Sequence, residues 1–452
     1  MLGLGGTLDN RMKKYHCILL LLVMPVIGFA QKQWTLADCI NHALQNNIQI
    51  QQANIVSQSS QSQWRQARHN RLPAVNASLS DGFGFGRTLG PDNIFINQNS
   101  NSADGSLNMN IPIFQGSRIT HEVAARRHDF MAAVADHERI KNDVSLTVVS
   151  HFLNVLLQKE HLKIAQQQRS LTDTMLHRIE ILVQNGREPI SRLYELKAQS
   201  ANDAFNITGA KRNLRLALLD LAQLLNLEYV ENFAISAPDF DFDISQMPIP
   251  IVIFENAIVT LPNVRAEEHR LESSKRNLDI ARSAYFPTVS FGVSTSTGYF
   301  HLFGLEYPII NAQFGTQISQ NWRSFVGMSV NIPIFNRFSV RTNVSQSRLQ
   351  IEHQELQVRQ ARNAIYNDIQ RAMLNAHVSR DRYLAAANAV RANRQAFEFV
   401  EQAFASGRTT FFDMQQSRNN LERAQSEQVQ AKYEFIFSVK VLEFYNGREI
   451  GF

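Results

Sequence analysis

The residues best suited by type to do chemistry are His121, Glu122 and His128, the run Asp239, Asp241 and Asp243, and the polar residues after two Gly-Arg pairs, Gly186-Arg187 and Gly407-Arg408. A zinc protease needs His-Glu-x-x-His, which puts both imidazoles on one helix face with a general base between them. Here position 125 is Ala, and histidines seven apart read as a helix surface. The three aspartates alternate as at the start of a calcium loop, but the loop's Gly and closing Glu are missing, so they read as a solvated linker. No Gly-x-x-x-x-Gly-Lys segment exists to cradle phosphates, which excludes nucleotide hydrolysis as a source of work. No clustered Met or His set suggests a metal path. The sequence points to no enzyme and no cofactor.

The elements that carry these residues are set by compartment first. Met12-Lys13-Lys14 precedes an apolar run from Ile18 to Phe29 that ends in Gly28-Phe29-Ala30. This order is that of a secretory signal, and the run is shorter than the roughly 20 residues of a spanning helix. Residues 1–30 are therefore expected to be a signal peptide, cleaved after Ala30, with Met12 an alternative start. Cys17 lies ahead of the run, not at the cleavage point, so no acylated anchor is expected. Cys39 is then the lone cysteine, unable to form an internal disulfide, and is expected to be a small buried residue. The formal charge of +5 is spread along the chain and does not suggest nucleic acid. No later apolar run reaches 18 residues, so a membrane role must come from strands.

Self-similarity organises the rest. Asn-Ile-Pro-Ile-Phe occurs at 110–114 and again at 331–335, an offset of 221, and the same offset relates Val183-Gln-Asn-Gly-Arg187 to Phe404-Ala-Ser-Gly-Arg408. A second offset of 214 relates Ala67-Arg68…Pro73 to Ala281-Arg282…Pro287. Each half reads as helix, Pro, strand, loop, strand, very long helix, Gly turn and return helix. The first repeat is expected over 31–227, with strands 74–85 and 104–114, long helix 116–185 and return helix 190–227. A linker of three prolines and no period covers 228–250. The second repeat covers 251–452, with strands 288–297 and 322–335, long helix 337–406 and return helix 411–446.

All four strands alternate. Val75, Ala77 and Leu79 face one way and Asn76, Ser78 and Ser80 the other; Leu107, Met109 and Ile111 oppose Ser106, Asn108 and Asn110. Val289, Phe291 and Val293 alternate with Ser290, Gly292 and Ser294, and Val326, Met328 and Val330 with Gly327 and Ser329. Apolar-out and small-polar-in is the pattern of a transmembrane barrel strand. Four strands cannot close a barrel, and open edges in lipid leave backbone groups unpaired, so two, three or four copies would have to share one barrel. The loops near 86–103 and 298–320 belong on the far side of the membrane.

The long helices repeat every seven residues, at Ile369, Ala376, Tyr383, Val390, Phe397 and Phe404, and at Val148, Val155, Leu162, Arg169, Leu176 and Val183. That spacing keeps one stripe on a partner helix, as in a coiled coil. Positions three further on, such as Ala372, Ser379 and Thr172, are small or polar, so the stripe is narrow. A continuous helix over 116–185 would measure on the order of 100 Å, which suits a tube wall. Gly186 and Gly407 sit where a helix C-terminal cap falls. Thr35-Leu-Ala-Asp38 is a capping box with Asp in place of Glu, opening the first helix.

With these landmarks the chain resembles the TolC-like outer-membrane efflux protein family, outer membrane factors of tripartite export systems, over essentially its whole mature length. Trp34-Thr-Leu-Ala-Asp38, Ala43-Leu-Gln-Asn-Asn47, both Asn-Ile-Pro-Ile-Phe segments and both Gly-Arg turns carry the resemblance. It implies a mainly α fold with a β-barrel part: four transmembrane strands per chain, closed as a homotrimer into twelve, continued into a periplasmic α-barrel of long antiparallel helical hairpins. It further implies a passive duct for efflux or type I secretion, docked at its tips to a periplasmic adaptor joined to an inner-membrane pump or ABC transporter. Tip residues for docking are Gly186, Arg187, Gly407, Arg408 and Thr409. In the family, acids line the constriction after the second long helix. Asp413 matches the first, the next is Gln416 here, and the first-half counterpart of Asp413 is Arg192, so the usual acidic ring is altered and an Arg192–Asp413 pair is a candidate gate. The alternative reading is a periplasmic or surface coiled-coil scaffold with no pore.

Overall fold

The computed structural model describes residues 33–89, 93–228, 233–236, 250–304 and 312–447. The expected signal segment 1–30, with Met12 and Cys17, lies outside these residues, as do Asp239, Asp241, Asp243 and most of the linker.

Helix lengths match in pairs. Helix α1 (Leu36–Asn46) and α5 (Pro250–Thr260) each have 11 residues, and α2 (Ile48–His69) and α6 (Pro262–Ser283) each have 22. The long helices α3 (Arg118–Gln184) and α8 (Ser339–Ala405) each have 67, and the return helices α4 (Ile190–Leu224) and α9 (Phe411–Tyr445) each have 35. At 1.5 Å per residue each long helix runs about 100 Å. Thr35 opens α1 as expected: its hydroxyl donates to Asp38 at 2.8 Å and accepts from the Asp38 amide at 3.1 Å. The first helical stretch is broken at Asn47, whose side chain caps Gln49 at 2.9 Å, and its later counterpart at Leu261, where Pro262 supplies the first helical residue. Helix α3 starts at 118 instead of 116 because Gly116 and Ser117 are left-handed, and α4 ends at 224 instead of 227 because Asn226 is left-handed too.

The strands are β1 (Gln33–Trp34), β2 (Ala74–Gly84), β3 (Arg87–Leu89), β4 (Phe95–Asn97), β5 (Ser100–Gln115), β6 (Ala234–Ile235), β7 (Thr288–Leu302) and β8 (Arg323–Asn331). The chain divides into two units, residues 1–42, 151–242 and 451–452 forming one and residues 43–150 and 243–450 the other.

In the first unit β1 pairs with β6 in parallel, and Trp34 packs edge-on against Phe233 and His42. Cys39 is fully buried, and burial pushes its thiol pKa up to about 12. Helix α4 returns along α3: Thr172, 12 residues before the α3 end at Gln184, donates to Asp203, 13 residues after the α4 start at Ile190, so the two run antiparallel. The seam is partly polar here. Thr172, Asp203, Gln168 and Ser200 are buried, and Arg169, on the expected apolar stripe, donates to the Ser200 carbonyl and to Asp173.

In the second unit the core lies where α8 meets α5, α6 and α9. Ile369 and Ala376 are wholly buried against Ile253, Ala257, Val264 and Leu442. Val390, Phe397 and Phe404 continue the stripe, while Tyr383 is half-buried. Ala372 and Ser379, three residues along, are buried too.

The same unit holds a four-stranded antiparallel sheet in the order β2-β5-β7-β8. Its strands depart from the sequence expectation at their ends. Strand β5 covers 100–115 instead of 104–114 and β7 reaches Leu302 instead of 297, because each finds the other along its whole length. Strand β8 covers 323–331 instead of 322–335: its partner begins at Thr288, opposite Asn331, so the second Pro-Ile-Phe has nothing to pair with. The first Pro-Ile-Phe does, across a bulge between Pro112 and Phe114. Within the expected loop 86–103, β3 and β4 form a hairpin with Arg87 over the Phe95 ring. Within 298–320, helix α7 (Phe314–Gln320) lies along β7, where the Gln317 side-chain amide donates to the Phe300 carbonyl at 2.9 Å and accepts from its N–H at 3.0 Å. One side chain thus takes the place of a strand neighbour beyond the start of β8.

Candidate functional site: two helix turns and an open sheet

The two Gly turns close by the same hydrogen bonds. At the first, Gly186 has φ +68°, the Arg187 amide donates to the Leu182 carbonyl at 2.9 Å and the Gly186 amide to Val183 at 3.0 Å. At the second, Gly407 has φ +73°, with Arg408 donating to Ala403 at 2.8 Å and Gly407 to Phe404 at 3.0 Å. This is the Schellman arrangement, which satisfies carbonyls that a helix end leaves open. Nothing lies within 4 Å of where a Cβ would stand on either glycine, so backbone conformation alone selects the residue.

Beyond the glycines the turns differ. In the first, Pro189 precedes α4 without a side-chain cap, and Arg192 pairs with Glu188 at 3.5 Å. In the second, Thr410 caps α9: its hydroxyl accepts from the Asp413 amide at 3.1 Å, and its own amide donates to the Asp413 carboxylate at 3.2 Å. The Thr409 hydroxyl reaches the same carboxylate at 3.0 Å. These hydrogen bonds, Thr410's first and Thr409's next, hold the Asp413 carboxyl below the ordinary carboxylate range. Gln416 bonds Asn420 at 3.3 Å, one turn along. The exposed Arg408 folds back, its Nε donating to Ser406 Oγ at 3.0 Å, while Arg187 is exposed. The structure therefore gathers Thr409 and Asp413 around Thr410 and gives Arg192 and Gln416 local partners. Thr410 and Glu188 were not among the expected residues. The Thr-x-x-Asp spacing that marks Thr35 would have found the first.

The sheet presents two unlike faces. Rows such as Val75, Met109, Val293 and Val326 cross all four strands on one side, and Ser78, Ser106, Ser296 and Arg323 on the other. On the polar side the Ser78 and Ser106 hydroxyls meet at 2.7 Å. The apolar side is uncovered: Leu79 is 90% exposed and Met328 68%. The outer strands β2 and β8 have no neighbour on their free edges within the described residues. Among those residues no helix is long and apolar enough to cross a membrane, and no group of three or more His, Cys, Asp or Glu could hold a metal ion.

Comparison with known proteins agrees with this geometry. The family model described as outer membrane efflux protein matches residues 39–227 and 253–447. The pyoverdine export outer membrane protein OpmQ of Pseudomonas putida is 25% identical over 334 residues, 73% of this chain and 67% of its own length. The outer membrane protein TolC of Escherichia coli is 22% identical over 344 residues, 75% of this chain and 68% of its own. Among solved structures, the outer membrane protein VceC of Vibrio cholerae has the same fold, with a TM-score of 0.73 over 92% of this chain and 96% of that one, at 16% identity. The family match spans most of the chain in two segments, one in each half of the sequence, and places the protein in the outer membrane: the chain belongs to the outer membrane efflux protein family.

Proposed function

We propose that this chain is one subunit of a trimeric outer-membrane duct, an energy-free exit for a tripartite efflux or type I secretion system. The observation that carries the reading is the sheet: its apolar face is exposed from Leu79 to Met328, and among the described residues β2 and β8 offer unpaired edges at opposite sides. Water penalises the first and lipid the second, since unpaired backbone groups in hydrocarbon cost several kcal/mol each. Joining β2 of one copy to β8 of the next removes both penalties, and three copies of four strands give twelve. The long hairpins, with wet faces and a narrow buried stripe, then continue the wall as an α-barrel. Extraction with detergent, native mass measurement and planar-bilayer recording test this together. A chain that is soluble without detergent and gives no conductance would instead support a scaffold.

At the tips, Gly186, Arg187, Gly407, Arg408 and Thr409 form the docking surface for a periplasmic adaptor, which couples the duct to an inner-membrane pump or ABC transporter. Two exposed guanidiniums beside tightly closed turns support this. Crosslinking in cells from position 187 or 408 should capture one periplasmic partner. Asp413, Gln416 and Arg192 are the constriction residues in this reading, with an Arg192–Asp413 pair closing the duct. Opening would return Arg192 to Glu188 and Asp413 to its two threonines. If Asp413→Ala leaves conductance and cation block unchanged, the gate is elsewhere.

A further inference from the structure

We propose that Asp104 and Arg323 are the charge filter of the strand section of the duct, an inference that rests on the barrel reading above. Positions on the polar face of β2, β5, β7 and β8 are otherwise uncharged, mostly Ser, Asn and Gly, so among the described residues these two are the only ionisable groups on that face. Asp104 stands opposite Gly298 on β7, and Arg323 stands opposite Ser296, one row along the same face. Gly298 is what lets the acid lean across β7 toward β8: a Cβ there would meet Asp104 Oδ1 at 2.7 Å. Both side chains line one surface cavity, with Ser102, Asn321 and Trp322. Both residues are exposed, and neither has an opposite-charge partner among the described residues.

Two fixed charges of opposite sign that do not neutralise each other by contact, in an otherwise neutral wall, act on whatever passes. In the trimer they make one ring of three carboxylates and one of three guanidiniums at nearly the same depth. Their far fields cancel, so the filter is balanced, and removing either ring unmasks the other. Through water, one unit charge at about 10 Å changes the local concentration of a monovalent ion about twofold. Screening removes nearly all of this at 1 M salt, where the Debye length is about 3 Å, and leaves about a third of it at 0.1 M, where it is about 10 Å, so that the three like charges of a ring together again give about twofold.

The test is the reversal potential of the full-length protein in planar bilayers under a potassium chloride gradient near 0.1 M. Relative to wild type, Asp104→Asn should lower the cation-to-anion permeability ratio and Arg323→Gln should raise it, each by about twofold or more. The double variant should return toward wild type, and all shifts should vanish at 1 M. Should a variant fail to assemble, Asp104→Cys labelled with a sulfonate or an ammonium thiol reagent gives the same readout, since Cys39 is buried. Channels of normal conductance whose selectivity is unmoved by both single variants, or moved in the same direction by both, overturn the filter. Wild-type protein that forms no channel overturns the barrel reading with it.

Discussion

Thr410 and Asp413 satisfy each other across the first turn of α9: the Asp413 amide donates to the Thr410 hydroxyl, and the Asp413 carboxylate accepts from Thr410's hydroxyl at 2.6 Å and amide at 3.2 Å. The acid at the second tip is therefore a helix cap as well as a constriction candidate. Thr410→Val should speed amide hydrogen exchange in the first turn of α9 and leave α4 unaffected. Hydrogen bonding depresses the Asp413 pKa, so its capping contribution is present above the ordinary carboxylate value near 3.9 and fades as pH falls through the depressed one. Exchange rates in that turn, corrected for intrinsic chemistry, should thus be flat from pH 7 to 5.

The glycine turns make a cleaner case, because space plays no part in them. Gly186→Ala or Gly407→Ala should cost roughly 1 kcal/mol of local stability, the penalty of a Cβ in left-handed backbone. The measurement is exchange protection of the last helical turn before each glycine, and unchanged protection in both would show that the turns tolerate another conformation.

Helices α3 and α6 meet through His128 and His269, whose rings lie 5.7 Å apart. Burial depresses both pKa values. For His128 the His269 ring, Arg276 and Arg127 add to this while Glu272 opposes; for His269 Arg265 adds while Glu268 and Glu272 oppose. His128 Nδ1 is buried without a partner. A depressed histidine refuses protons that the unfolded chain accepts, so stability is full above about pH 6.5 and declines as pH drops below it. Thermal unfolding midpoints should fall between pH 7.5 and 5.5, and His128→Gln with His269→Gln should flatten that slope.

Adjacent residues on β2 give opposite expectations. Leu79 is 90% exposed on the apolar face, while Ser78 shares a hydroxyl contact with Ser106 on the other. Lysine at 79 should cost about 2–4 kcal/mol near the bilayer midplane and deplete heat-modifiable trimer from outer membranes, whereas Ser78→Lys should assemble. Equal loss in both would mean that the faces are not lipid and lumen.

Much of this was legible because it is periodic or local. Heptad spacing named Ile369, Ala376, Val390, Phe397 and Phe404, all buried, and two-residue alternation named both faces of the sheet. Single-residue conformation named Gly186 and Gly407. Less legible was the first hairpin, where Arg169 occupies a stripe position yet serves the Ser200 carbonyl; a heptad count cannot tell a packed side chain from one that reaches across. The ends of β5, β7 and β8 depend on how far each partner extends, and α7 fits its loop through one glutamine. None of these has a period.

Local forces set the main helices to within a few residues of their lengths, the four strands of the large sheet and the faces these turn, since φ/ψ preference, side-chain spacing and capping act within a few residues. Which groups meet across elements follows from packing. Packing joined Thr172 to Asp203 and Arg169 to the Ser200 carbonyl, and set Asp104 over Gly298 beside Arg323. Such pairings join separate helices or strands, so they follow from register and backbone path, which no short stretch of residues contains.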